Sequence, residues 1–506
     1  MPGNPRPRTL TGTPLGDLAA RLAVAAPSGA DPLVTGVTHA SAEVHPGDLY
    51  AALPGARRHG AEFAADAAAA GAVALLTDPA GAELAAAAGL PALVVPDPRA
   101  VLGVLASTVY GDPTSTLTVV GVTGTAGKTS TAYLVESGLR AAGHTTGLIG
   151  TVETRLGDLV VDSVRTTPEA TDLHAMLAAA RERGVTALVM EVSSHALAMG
   201  RVGGVRFTVG GYTNFGSDHL DFHADVEDYF AAKARLFDGR CDVEVLNHDD
   251  PALRPLYKAR TVTYSAAGDR SATWWADGVD GAGYAQRFTL HGPDGLTLPA
   301  GVALPGRHNV ANALLAVAML VGAGVDPKTA VDGVAACGGV PGRLELVDAP
   351  GPVRGVVDYA HKTDAIVAAL AALRELSSGR LICVIGAGGD RDRGKRPHMG
   401  AAAARGADLV LVTDDNPRTA DPAVIRAEVL AGAYAAGASA RILEVAGRRA
   451  AIGEAVRLAE PGDVVALLGK GHEQGQEVAG QVHPFDDRVE LATALRARFG
   501  DPAGRQ

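Results

Sequence analysis

Short apolar runs alternate with stretches of helical spacing along almost the whole chain. Residues 117–122 form a β-type run, and helical periodicity follows from about Thr129 to Leu139. Further strand-like runs fall at 187–191, 207–210 and 243–246. A last series falls at 354–358, 381–385, 409–413, 441–443 and 464–468, with helical stretches between them. Strand-helix alternation of this kind predicts α/β units on mainly parallel sheets. Residues 265–300 are richer in Gly, Asp and β-type residues, which predicts an antiparallel insertion. A Gly-Asp-Pro breaker at 111–113 and a Gly/Pro-rich stretch at 338–341 divide the chain into three blocks: 1–113, 114–340 and 341–506. The last block reads as a Rossmann-like sheet.

Composition narrows the picture a little. With 506 residues the chain can hold several independent cores. A net charge of −11 argues against a general nucleic-acid binder, which needs a basic surface. Cys241, Cys337 and Cys383 are scattered without metal-ligand spacing; two lie in apolar surroundings and read as small hydrophobes, which fits a reducing cytoplasm. No apolar run approaches the ~20 residues needed to span a bilayer, and no signal-peptide pattern opens the chain. The Pro-rich, polar start MPGNPRPRTLTGTP is expected to be disordered.

The chemistry concentrates at residues 123–130, TGTAGKTS. Strand, Gly-rich turn, Gly-Lys-Thr and helix are the layout of a phosphate-binding loop. Gly124 and Gly127 let the backbone curl so that N–H groups meet phosphate oxygens. Lys128 supplies charge to the β- and γ-phosphates, Thr129 a hydroxyl to Mg²⁺, and the helix its positive end. Val122 stands where the strict motif has its first glycine, so a structural Gly-Lys-Thr turn is the competing reading. Three acid/base elements follow: Glu191 at the carboxyl end of the apolar run ALVME, His219 in TNFGSDHLDFH, and Lys233 in AAKARLF. A carboxylate and an imidazole can share a hard divalent ion with phosphate oxygens and water. Taken singly, each has an ordinary reading: a solvated Glu, a structural His, a surface Lys.

Eleven segments occur in order: TGTAGKT, TTPEATDL, MEVSSHAL, TNFGSDHLDFH, AAKARLF, PGRHNVANAL, VPGRLE, DYAHKTDA, GAGGDRDRGKRP, DDNPR and GKGHEQGQ. Together they resemble the ATP-dependent muramyl ligases of peptidoglycan synthesis, over nearly the whole chain. The resemblance implies three α/β domains: one for the UDP-substrate, one for ATP and catalysis, and one for the incoming amino acid. It implies that ATP phosphorylates a substrate carboxylate and that an amine then attacks the acyl phosphate. The substrates implied are UDP-N-acetylmuramoyl-L-alanyl-D-glutamate and diaminopimelate, in the cytoplasm, without nucleic acid or membrane segment.

Residue by residue, the resemblance implies ATP contacts from Gly124, Thr125, Gly127, Lys128, Thr129 and Ser130. It adds Asn309 and Asn312 on the adenine side, Arg343 at phosphate and Asp358 near the ribose. Thr129 and Glu191 would take one Mg²⁺ and His219 a second, while Lys233 matches a lysine that becomes carbamylated. Lys128, Glu191, His219 and Lys233 are thus the catalytic set. Ser41, His59, Thr166, Thr167, Ser193 and Arg201 match UDP-substrate positions. Arg391, Asp415, Asn416, Arg418, Gly469 and Glu473 match the diaminopimelate pocket, with Arg418 facing the distal carboxylate and Glu473 an ammonium. Lysine lacks that carboxylate and would leave Arg418 unpaired. Two departures stand out: Ala40-Ser41-Ala42 replaces the usual Asp-Ser-Arg of the uridine domain, and Ala126 replaces an Asn of the loop. The altered uridine segment leaves room for a specialised paralogue joining another carboxylate and amine. A non-catalytic nucleotide binder is disfavoured by the intact Lys128, Glu191, His219 and Lys233.

Overall fold

The computed structural model describes residues 5–29, 31–216, 218–390 and 393–500. The chain folds as two compact units, Met1–Tyr264 with Leu315–Gly333, and Ser265–Leu314 with Val334–Gln506.

In the first unit, four short parallel strands, Gly36–Thr38, Asp48–Ala51, Ala74–Thr77 and Ala92–Val94, form one sheet in sequence order. The strands Thr118–Thr123, Ala187–Glu191, Phe207–Tyr212 and Cys241–Asn247 form the parallel heart of a second. Thr118–Thr123 lies between Ala187–Glu191 and Phe207–Tyr212. Its carboxyl end, from which the phosphate loop springs, is therefore flanked by two further strand ends, the usual place for a ligand crevice in an open α/β sheet. These strands are buried on both faces. Leu188 and Met190 point into one apolar cluster with Val119 and Phe207, while Ala187 and Val189, also buried, take the other face.

The N-terminal block does not stand apart from the central one. Arg181 donates to the Gly111 carbonyl at 2.9 Å, and a Cβ on Gly103 would meet the Gly203 carbonyl oxygen at 2.3 Å. Residues 5–14 are more ordered than their composition predicts, and residues 1–4 lie outside the described residues. Arg6 donates to both carboxylate oxygens of Asp48 at 2.8 Å, the Arg8 and Thr9 N–H groups donate to Glu182, and Thr13–Pro14 pairs with Leu33–Val34. Long-range carboxylates hold a segment whose own sequence has no apolar pattern.

Helix Ala170–Glu182 buries His174, whose Nε2–H donates to the Gly203 carbonyl at 2.8 Å. Burial pushes this imidazole down to about 4, from 6.5. Between those values the unfolded chain binds the extra proton, so stability falls on acidification and is retained above about 6.5. Of the order of 3 kcal/mol is at stake. His174→Gln is expected to flatten the fall between pH 7 and 4.5 in urea titrations; an unchanged slope would remove His174 as its source.

In the second unit, Trp274–Ala282, Ala285–His291 and Thr297–Val302 form an antiparallel meander within the 265–300 stretch. The six-stranded sheet runs Glu345–Leu346, Arg354–Asp358, Val464–Leu468, Leu381–Ile385, Leu409–Val412, Arg441–Glu444. All neighbours are parallel except the first pair. Alternation sorts its side chains: Leu381, Cys383 and Ile385 enter one core, Ile382 and Val384 the other. All three cysteines are buried. No helix among the described residues is long and apolar enough to cross a membrane.

Candidate active site

The phosphate loop leaves its strand at Gly124, and helix Lys128–Ala141 starts from Gly127, at φ +85°. Gly124 sits at φ +138°, where a Cβ would lie 1.9 Å from Thr213 Oγ1, so only glycine lets the loop pass that strand end. The loop is braced from the neighbouring strand end. The Asn214 side chain accepts from the Ala126 N–H at 3.0 Å and donates to the Ala126 carbonyl at 3.1 Å. The Thr125 N–H donates to the Asn214 carbonyl at 2.9 Å. Lys128 Nζ folds back on the Gly124 and Thr125 carbonyls at 2.7 and 3.2 Å. Thr129 and Ser130 lie buried in the first helical turn.

Glu191 and Thr129 meet: the Thr129 hydroxyl donates to Glu191 Oε2 at 3.0 Å, and Glu191 is buried. Thr151, which the sequence reading missed, completes this corner. Its N–H donates to Oε1 at 2.7 Å and its hydroxyl to Oε2 at 3.1 Å. It stands just past the strand Thr146–Ile149, and a threonine at a parallel strand's carboxyl end was the available signal. The Thr166 hydroxyl is 3.0 Å from that of Thr151. Thr167 donates to the Glu191 carbonyl at 2.9 Å and accepts from the Ser193 N–H at 3.1 Å. Arg201 donates to the Thr167 carbonyl at 3.3 Å and pairs with Glu169 at 2.7 Å. Four of the six matched UDP-substrate residues therefore gather at one strand end.

Lys233 is not a surface lysine. It is 1% exposed, donates to the same Gly124 carbonyl at 2.8 Å, and lies 4.6 Å over the Tyr229 ring. The Tyr229 hydroxyl is 3.1 Å from Thr125 Oγ1, so helix Val226–Ala234 is tied to the loop through both Tyr229 and Lys233. His219 has φ +54° and Nε2 at 3.0 Å from Asp218. Its ring stands 4.7 Å from that of His195 and 6.1 Å from that of Tyr229. Burial, with His219 and His223 nearby, pushes His195 down to about 4, so it is neutral at pH 7. Among the described residues no three His, Cys, Asp or Glu are grouped to hold a metal alone.

In the N-terminal sheet both His59 ring nitrogens are occupied: Nδ1 accepts from the Ala61 N–H at 3.0 Å and Nε2 lies 3.2 Å from Asp78. His59 caps the turn Gly60–Phe63. Ser41 opens the turn Ser41–Glu43 between the two alanines.

The second unit carries the remaining matches. Asn309 and Asn312 are buried at the start of helix Arg307–Gly322, where Asn312 donates to Asn309 and Asn309 to the Pro305 carbonyl at 2.9 and 2.7 Å. The Arg343 guanidinium lies 4.6 Å over Tyr359. Burial pushes the Asp358 carboxyl up, opposed by Arg343 and by the Leu344 N–H, which donates at 2.7 Å. Asp415, Asn416, Gly469 and Glu473 converge: Gly469 has φ +116°, and a Cβ there would come within 2.5 Å of Asp415 Oδ2. Asn416 donates to Glu473 at 2.8 Å. Arg391 lies outside the described residues. Arg418 corrects one expectation. It is not an unpaired cation: Nη1 donates to the Gly389 carbonyl at 2.6 Å and Nε is 3.4 Å from Glu477. The hairpin Gly475–Val478 and Gln481–Pro484 brings Glu477 there, a long-range contact that DDNPR does not encode.

Models of three Mur ligase segments match this chain: the Mur ligase family, catalytic domain, at 33–110; the Mur ligase middle domain at 122–320; and the Mur ligase, glutamate ligase domain at 342–471. A UDP-N-acetylmuramoyl-L-alanyl-D-glutamate–2,6-diaminopimelate ligase of Streptomyces coelicolor is 55% identical over 505 residues, 99% of each chain. The chain belongs to the Mur ligase family. A like-named ligase of Corynebacterium glutamicum is 47% identical, covering 90% of each chain. A UDP-N-acetylmuramyl-tripeptide synthetase of Leifsonia xyli is 44% identical, covering 92% of each. This Mur ligase also resembles a solved UDP-N-acetylmuramoyl-L-alanyl-D-glutamate–2,6-diaminopimelate ligase structure at 31% identity and TM-score 0.70, covering 96% of this chain and 99% of that one.

Proposed function

We propose that this Mur ligase joins diaminopimelate to UDP-N-acetylmuramoyl-L-alanyl-D-glutamate in an ATP-dependent reaction of cytoplasmic peptidoglycan synthesis. The observation that carries the reading is the 55% identity, across 99% of both chains, to a ligase of that name. A free carboxylate is a poor electrophile. Its oxygen takes the γ-phosphoryl group, ADP leaves, the amine attacks the acyl carbon, and phosphate departs as the amine loses a proton. Three functional domains share the work, with bounds near 113 and 340.

In this reading the loop N–H groups and Lys128 hold the ATP phosphates. Lys128 exchanges its two loop carbonyls for phosphate oxygens. Thr129 and Glu191 offer adjacent hard oxygens that fit Mg²⁺, with His219 for a second ion, and such ions neutralise crowded phosphate charge. Thr166, Thr167, Ser193 and Arg201 take the muramoyl peptide. Ser41 and backbone groups take the uridine end, because the His59 ring is already engaged. Asn309, Asn312, Arg343 and Asp358 serve the nucleoside and phosphate of ATP. Lys233, as a carbamate, would keep one Nζ–H for the Gly124 carbonyl and gain oxygens able to share the metal.

The acceptor assignment is tested by phosphate release with the UDP-muramoyl dipeptide or tripeptide crossed with meso-diaminopimelate, LL-diaminopimelate and lysine. Diaminopimelate with the dipeptide is expected to win. Because Glu477 already accompanies Arg418, discrimination against lysine is expected at about 10- to 100-fold, the worth of a charged hydrogen bond. Arg418→Ala is expected to raise the diaminopimelate KM while the ATP KM holds. Preference for lysine, or unchanged selectivity in the variant, would show that Arg418 does not read the acceptor. Failure of every UDP-muramoyl peptide would favour the specialised paralogue suggested by Ala40-Ser41-Ala42.

A further inference from the structure

Lys470 sits between Gly469 and Glu473, two matched acceptor residues, and has no role assigned so far. It is completely buried. Its ammonium donates to Asn416 Oδ1 at 3.2 Å, Glu473 Oε2 at 3.0 Å and the Gly475 carbonyl at 2.6 Å. Three N–H bonds thus meet three acceptors. Two of those acceptors belong to acceptor-pocket side chains. A buried ammonium is costly unless paired, and here its carboxylate partner is Glu473.

The bonds also set orientations. Asn416 Oδ1 takes Lys470 and, at 3.0 Å, the Glu477 N–H, while Asn416 Nδ2 donates to Glu473 Oε2 at 2.8 Å. The amide can therefore sit only one way round. Both bonds to Glu473 fall on Oε2, so Oε1 is the oxygen they leave to a ligand; the Glu473 side chain is 32% exposed. The other buried cation nearby, Arg448, is occupied by a two-pronged pair with Asp487 at 2.7 and 2.5 Å. Lys470 alone of the two bonds to Glu473.

We propose that Lys470 is a positioning residue that sets amine-acceptor specificity. It pins Glu473 and Asn416, and it offsets the charge of Glu473. A distal centre carrying both an ammonium and a carboxylate then meets a near-neutral Glu473–Lys470 pair and Arg418, itself accompanied by Glu477 at 3.4 Å. A distal centre carrying only an ammonium gains no bare carboxylate to attract it. Removing the Lys470 charge leaves the pocket one unit more negative, which favours the simple ammonium, and frees the two side chains that orient the zwitterion.

The proposal rests on the acceptor reading above, and the test separates the two. In the full-length enzyme with ATP and UDP-muramoyl dipeptide, Lys470→Met is expected to lower kcat/KM for diaminopimelate at least about 10-fold, chiefly through KM. The diaminopimelate-to-lysine ratio is expected to fall about as much, with the ATP KM within about twofold. If the variant does not fold, Lys470→Gln is read the same way. Equal losses for both amines, or an unchanged ratio, would make Lys470 merely structural and overturn the proposal. Glu473→Gln is run alongside. If it too leaves the acceptor KM unchanged, the pocket reading itself falls and this proposal with it. If it raises that KM while Lys470→Met does not, only this proposal falls.

Discussion

Lys128→Ala is expected to abolish ATP-dependent ligation, by about 10³-fold or more, with the fold intact. Phosphoryl transfer depends on positioning and charge neutralisation, and Lys128 is the loop's cation. It donates to two loop carbonyls and does not lie in the apolar core. The Gly124 carbonyl would still accept from Lys233 at 2.8 Å, so that carbonyl is not orphaned. Thermal unfolding should therefore shift little, while ATP binding by calorimetry and phosphate release are lost together. Near-normal turnover in this variant would remove the phosphate-loop reading altogether.

Lys233→Ala is expected to be about as damaging to turnover, for a different reason. In the carbamate form a cation becomes an anion able to share a metal, and alanine cannot. The reaction is simple: the neutral amine adds carbon dioxide and releases a proton. The variant's loss should be partly reversed by added acetate or formate, which return oxygens to the vacated space. Wild-type enzyme incubated with isotopically labelled bicarbonate should show a carbamate carbon signal that Lys233→Ala lacks. Because Lys233 is buried against Tyr229, the variant should also lose some stability, unlike Lys128→Ala. Full activity without Lys233, or no labelled carbamate in an active enzyme, would leave the lysine as a brace for Gly124 only.

Much of this architecture was legible from local pattern. The strands at 187–191, 354–358, 381–385 and 464–468 have the bounds read from apolar runs. Phe207–Tyr212 and Cys241–Asn247 extend by two and three residues, because pairing with buried neighbours prolongs a strand past its own apolar run, while 409–413 ends one residue early at Val412. The order of residues 5–14 has a related cause. Arg6 and the Thr9 backbone find Asp48 and Glu182, partners that lie far along the chain.

The candidate site divides in the same way. Gly124, Lys128, Thr129 and Glu191 were legible because strand-turn-helix chemistry is local and a carboxylate ending an apolar run marks a strand's functional edge. Thr151 on Glu191, Tyr229 between Thr125 and Lys233, Glu477 beside Arg418, and Lys470 under Glu473 were not. His59 carries the same lesson in reverse, since its match to a uridine position gave no sign that Asp78 and the Ala61 N–H already hold its ring.

Period-2 and helical alternation, together with glycines at obligatory left-handed positions, were sufficient for the α/β class, the strand–turn–helix at 118–141 and the strand edges, because each depends on a residue and its near neighbours. Which acid meets which hydroxyl, whether a lysine is solvated or buried, and how an arginine is already paired were decided by packing. Those facts depend on strands and hairpins from distant parts of the chain arriving at the same few ångströms.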